Sequence, residues 1–164
     1  MKKSIAIGII VPILNLACVF TFAAELPAIP PIPEKFNNIK IIKPDPSVPK
    51  DVADLSGEWE GTWKFAGSMG DTTWKAYSFG QEVRRAKLIV YEVSIDKIKI
   101  LYGWGASNTM GKGGWRLFES SINDDWGKKR FSFYGSWSMR FYLENGTIKG
   151  TSSGFFDIEM KPIK

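Results

Sequence analysis

The chain contains no histidine and one cysteine, Cys18, among its 164 residues. Lack of histidine removes the Ser-His-Asp triad, the Cys-His dyad and every histidine-based metal site. Cys18 lies in an N-terminal apolar run. If that run is removed, no thiolate nucleophile, cysteine-ligated zinc or disulfide is left. Stability must then come from a packed core, which an oxidising compartment allows, since disulfides are permitted there and not required. Organised basic charge is also scarce. The formal net charge is +5, and Lys2 and Lys3 contribute two of it. The small runs Arg84-Arg85-Lys87 and Lys128-Lys129-Arg130 abut expected strands and read as solvated strand ends or turns. No basic stripe tracks a phosphate backbone, so nucleic acid is not an expected partner.

Aromatics are nearly missing before residue 55. All seven Trp, all five Tyr and eight of the eleven Phe lie in residues 55–164, which marks that stretch as the folded domain. Residues 1–24 read as a signal peptide: Met1-Lys2-Lys3, then an uncharged apolar run. Three readings of the leader stand. Cleavage after Ala23, with Thr21 at −3, exports the rest to the periplasm or outside. An uncleaved run anchors it, although Pro12 and Asn15 weaken a spanning helix. Lipidation at Cys18 makes a lipoprotein, with Asn15 where a lipobox carries Leu. Membrane contact is expected only through the last two. Residues 25–54 hold seven prolines, which bars helix interiors and central strands and predicts an extended linker.

In Gly57-Glu58-Trp59-Glu60-Gly61-Thr62-Trp63-Lys64-Phe65 the apolar residues alternate with polar ones, the period of a half-buried strand. The pattern recurs over 88–93, 98–104, 115–122, 130–134, 137–143, 147–152 and 155–161, with an extra candidate over 72–79. Asn145-Gly146 predicts a tight type I′ hairpin turn, which needs positive φ at both positions. Eight or nine short strands with short sequential connections predict an all-β fold: a single antiparallel up-and-down barrel of about eight strands over residues 55–164. Trp59, Trp63, Ile100, Tyr102, Met139, Phe141 and Ile158 are the expected core.

The opening Leu55-Ser56-Gly57-Glu58-Trp59 resembles the start of calycin barrels such as lipocalins and avidins. The run Leu88-Ile89-Val90-Tyr91 … Tyr102-Gly103-Trp104-Gly105 … Gly114-Trp115-Arg116 resembles a small domain of secreted bacterial proteins, found alone or attached to hydrolases. The resemblance spans residues 55–164 and implies a closed barrel. The lipocalin Thr-Asp-Tyr motif is missing. Arg140 is the arginine placed to cover the first Trp. The biotin-binding pattern of avidins is not evident beyond the first strand.

Catalytic groups are hard to find. Glu58 and Glu60 lie opposite the Trp row and face solvent, and Asp124-Asp125 suits a turn. The loop from Gly103 to Trp115 is glycine-rich, but Gly105 and Gly111 enclose five residues and Lys112 precedes Gly113. That is not a phosphate loop. No enzyme activity, cofactor or metal is expected. Two readings of Trp104 and Trp115 stay open: they plug the barrel end, or they line a mouth for an apolar or sugar-like ligand, with Arg116 or Arg140 as an orienting contact. The expected function is therefore an exported, non-enzymatic binding or accessory barrel. The alternative is a filled barrel that docks an envelope protein through its aromatics or its Pro-rich arm.

Overall fold

Alternation of apolar and polar residues produces a sheet with one dry face, and eight such strands close that face inward. The computed structural model describes residues 25–65, 83–107, 111–134, 138–152 and 156–163. Residues 1–24, with Cys18, and the candidate strand over 72–79 lie outside the described residues. The strands are β1 (Gly57–Phe65), β2 (Val83–Val93), β3 (Lys97–Trp104), β4 (Gly114–Asp125), β5 (Lys128–Tyr134), β6 (Ser138–Glu144), β7 (Thr147–Ser152) and β8 (Phe156–Pro162). They pair in sequence order, and β8 returns to β1, which closes the barrel. The all-β, eight-stranded up-and-down expectation is thus met.

This topology puts four connections at one end and three at the other. The loops after β1, β3, β5 and β7 share one end, here the loop end. The short β2–β3, β4–β5 and β6–β7 turns share the other. The Asn145-Gly146 turn has φ of 52° and 71°, as a type I′ turn requires. The same geometry recurs at Trp126-Gly127, where φ is 56° and 73°. Asp124 and Asp125, expected in that turn, instead end β4, and Lys128-Lys129-Arg130 begin β5.

A β-bulge adjusts β2. Val90 pairs with Ile100, but the next pairs are Glu92 with Lys99 and Val93 with Ile98. The extra residue, Tyr91, flips the alternation. Val93 therefore turns into the core, and Glu92 turns outward to an ion pair with Lys99 at 2.9 Å.

The interior is an aromatic column. Trp63 meets Phe141 edge-on at 5.9 Å, and Phe141 stacks on Phe131 at 5.2 Å and on Phe133 at 4.9 Å. Phe133 stacks on Phe118 at 4.2 Å, and Tyr102 tilts against Phe133 at 5.7 Å. Such pairs add about 0.5–1.5 kcal/mol each beyond their buried area. All seven expected core residues belong to the core cluster: Met139 packs against it half-buried, and the other six are buried.

Residues 25–54 are extended, apart from one 3₁₀ turn (Glu34–Phe36) and a short helix α1 (Lys50–Ala53). They also lie against the barrel. Val48, Val52 and Leu55 join the core, and Trp59 Nε1 donates to the Leu55 carbonyl at 2.9 Å, so this segment plugs the turn end. Farther back, the Ile42 N–H donates to the carbonyl of the bulged Tyr91 at 2.7 Å. Proline prevents helix and ladder here, yet it leaves carbonyls and apolar rings free to pack.

The core role of α1 gives a prediction. Fully burying a valine contributes about 1.5–3 kcal/mol, so a chain starting at Asp54 should be less stable than one starting at Asp45. The latter keeps Val48 and Val52. Thermal melts of the two decide the matter, and equal melting temperatures would remove α1 from the core.

A second prediction concerns acid. The Glu144 carboxylate accepts from Lys128 Nζ at 2.6 Å and Lys149 Nζ at 2.9 Å, and these bonds lower its pKa from 4.5 to about 2. A carboxylate with a depressed folded pKa stabilises the fold above its unfolded pKa. That contribution fades as pH falls from 4.5 towards 2. Glu144→Gln should therefore be less stable than the wild type at neutral pH, and the gap should close across that window. Denaturant melts from pH 7 to pH 2 measure it. A gap unchanged at pH 2 would rule out the ion pairs as its source.

Candidate functional site at the loop end of the barrel

Register fixes which side chains face the loop end from inside. Trp63 pairs with Arg84, and Leu88 and Val90 of the same β2 face are fully buried. Arg84 therefore continues the inward row Val90, Leu88, Ala86. On β3 the inward row is Ile98, Ile100, Tyr102 and Trp104. Its partners on β4 are Ser120, Phe118, Arg116 and Gly114. Met139, Ser152 and Phe156 complete the layer on the far wall.

Three of these groups meet. Trp63 Nε1 donates to the Tyr102 hydroxyl at 2.6 Å in a buried contact. The Arg84 guanidinium lies beside that hydroxyl, close enough for its charge to act on the phenol. Burial pushes the Tyr102 pKa above its usual value, while the nearby Arg84 charge and the hydrogen bond from Trp63 pull the other way. The phenol stays protonated, and with the Trp63 bond accepted its own O–H remains to donate. Arg84 Nε is buried without a hydrogen-bond partner. Among the described residues no carboxylate occupies an inward position in this half of the barrel. Arg116 stands on the same face by register but is exposed to solvent at the rim, with its guanidinium 5.3 Å from the Phe118 ring centre.

The two tryptophans of the glycine-rich loop separate. Trp104 pairs with Gly114, and Trp115 pairs with Gly103. Adjacent residues of a strand point to opposite faces, so Trp104 faces inward and Trp115 outward. Each ring lies on the partner strand's glycine. A Cβ on Gly103 would stand 2.6 Å from the Trp115 ring, and one on Gly114 would stand 3.0 Å from the Trp104 ring. The Gly-Trp-Gly … Gly-Gly-Trp sequence is thus a reciprocal packing device. Trp104 stacks on Tyr102 at 5.6 Å and donates to the Lys112 carbonyl at 3.1 Å. Trp115 donates to the Pro30 carbonyl at 2.7 Å, and the Pro27 carbonyl would stand 2.7 Å from a Cβ on Gly105. Trp115 therefore clamps the Pro-rich arm to the outside wall, while Trp104 tops the inner column.

Arg140 is exposed on the outer face of β6, opposite Ser132 and Thr151. It joins neither tryptophan and does not cover Trp59. Of the four expected contacts, Trp104 and Arg116 share the inner face and Trp115 and Arg140 lie outside it. Sequence reasoning missed Arg84, which it read as a solvated strand end. The signal was present: counting back by twos from Val90 and Leu88 puts Arg84 on the buried face.

Elsewhere, a surface groove of about 360 Å³ opens at the turn end, beside Asp54, Gly57, Glu58, Leu143 and Ile163. Among the described residues there is no group of three or more His, Cys, Asp or Glu that could hold a metal. Among the same residues, no helix is long and apolar enough to cross a membrane. Comparison with protein-family models, with curated proteins and with solved structures finds no match in any of the three.

The two tryptophan environments lead to a side-by-side test. Trp63 is 3% exposed inside the column. Trp63→Ala should cost about 3–5 kcal/mol. Trp115→Ala should cost less and should free the arm, read as faster proteolysis within residues 25–42 while the barrel melt persists. Equal losses of stability in the two variants would make the arm clamp part of the barrel's core.

Proposed function

We propose that this chain is an exported, non-enzymatic binding barrel of the calycin kind, taking a small ligand with an apolar body at its loop end. The reading is carried by the layer just described. The aromatic column fills the barrel below Tyr102, while above it Trp104, Arg116 and the Trp63–Tyr102–Arg84 junction turn polar and aromatic groups towards the loops. A few convergent polar groups on an apolar wall are what a small-molecule site needs. Eight strands leave an interior that holds either side chains or one small ligand, and here the two uses divide along the axis. Lack of histidine and of a thiol outside the leader supports binding over catalysis.

A second reading has its own support. The ring contacts from Trp63 through Phe141 and Phe133 to Phe118 pack the axis, and the arm lies against the outer wall. A filled barrel that presents the arm to an envelope protein is consistent with both.

A neutral fluorescent dye, N-phenyl-1-naphthylamine, separates them. The binding reading expects saturable enhancement that weakens in Trp104→Ala, with Trp115→Ala unaffected. Absence of saturable enhancement favours the filled barrel.

A further inference from the structure

We propose that the loop-end site takes an organic anion, a flat or apolar molecule bearing a carboxylate, and that Arg84 with Tyr102 receives that carboxylate. The proposal rests on the binding reading above and adds the charge of the ligand to it.

Three observations carry it. The first is placement. Arg84 lies on the inward row of β2, across from Trp63, where every other described residue of that row is buried and apolar. Arg84 is half-buried there with its Nε shielded from water, and a cation drawn partly out of water is stabilised by a counter-charge. The second is the lack of a counter-ion. The other orphaned guanidinium nitrogen, Nε of Arg130, belongs to a side chain on the outer wall that is paired with Asp125 and set beside the Tyr142 ring. Arg84 has no carboxylate partner among the described residues, and its Nε is buried and unbonded. Arg116, the exposed charge at the rim of the same face, is also positive. The third is donor geometry. The Tyr102 hydroxyl accepts from Trp63 and so is held in place, with its own proton left to give. A guanidinium fork beside a fixed hydroxyl donor fits a carboxylate, which accepts on both oxygens. The wall around it is Trp104, Phe118, Met139 and Phe156, which suits an apolar or aromatic body.

Asp71 and Glu82 lie in the β1–β2 connection, outside the described residues, and the test must separate them from a ligand. Calorimetry on the full-length exported chain compares two probes of one shape, 2-naphthoate and the neutral 2-naphthalenemethanol, with the wild type, Arg84→Gln and Arg84→Lys. Naphthoate should bind the wild type at least about tenfold more tightly than the alcohol, a gap of about 1.4 kcal/mol. Arg84→Gln should abolish that preference, and Arg84→Lys, which keeps the charge without the fork, should restore part of it. Arg84 is half-buried with no carboxylate partner among the described residues, so the melting temperature of Arg84→Gln should equal or exceed that of the wild type. Three results overturn the proposal while leaving the binding barrel standing, provided the neutral dye binds: equal affinities for the two probes, a preference that survives Arg84→Gln, or no binding of either probe. A melting temperature lowered in Arg84→Gln and recovered in Arg84→Lys also overturns it, by assigning Arg84 a counter-ion within the chain. If neither the dye nor the naphthalene probes bind, the binding reading falls and takes this one with it.

Discussion

Pairing of β8 with β1 is the constraint on which the rest of the molecule depends. It runs from Trp59–Pro162 to Phe65–Phe156 and closes the sheet into a barrel. Closure commits every second residue of eight strands to one enclosed volume. It also sends odd-numbered connections to one end and even-numbered ones to the other. The inner wall, the column of rings and the division into a loop end and a turn end all follow from that circuit.

Within the circuit the chain uses its volume unevenly. Aliphatic side chains and α1 seal the turn end, where Val52, Leu55, Ile98 and Ile148 are almost wholly buried. Rings fill the middle. At the loop end the apolar rule is broken by Arg84, Arg116, Ser152 and the hydroxyl of Tyr102. A local breach of core chemistry in an otherwise consistent fold marks a functional position more often than a defect, and that asymmetry underlies the proposed site.

The outer wall carries a second surface. The arm passes Gly105 and Trp115 near its start and reaches Tyr91 at Ile42. On the outer face of β2 and β3, Ile89 and Leu101 are 7% and 1% exposed although they point away from the core. Trp115 and the β2 bulge serve this face. The indole N–H and the spare Tyr91 carbonyl each find a partner in a segment whose prolines leave it few hydrogen bonds of its own.

Much of the barrel was legible in the sequence by itself. Period-two alternation located eight strands within a few residues, apart from an early start to β2, because a half-buried strand writes its two faces directly into the chain. Asn145-Gly146 named its own turn, because few residues tolerate positive φ twice in succession. The candidate site was legible only in part. Trp104 and Trp115 looked like a pair because both flank one loop. Their opposite orientations follow from the odd sequence separation once β3 and β4 are in register, and register is a tertiary fact. Arg84 looked like a surface charge because local composition outweighed alternation. Its entry into the interior depends on β2 pairing with β1 on one side and β3 on the other. Packing of the arm was equally invisible, since prolines announce an extended path and say nothing of the wall it lies on. The sequence determined which segments are strands and which faces are dry. Only closure decided which residues meet across the barrel, because such contacts join positions far apart in the chain that no local pattern encodes.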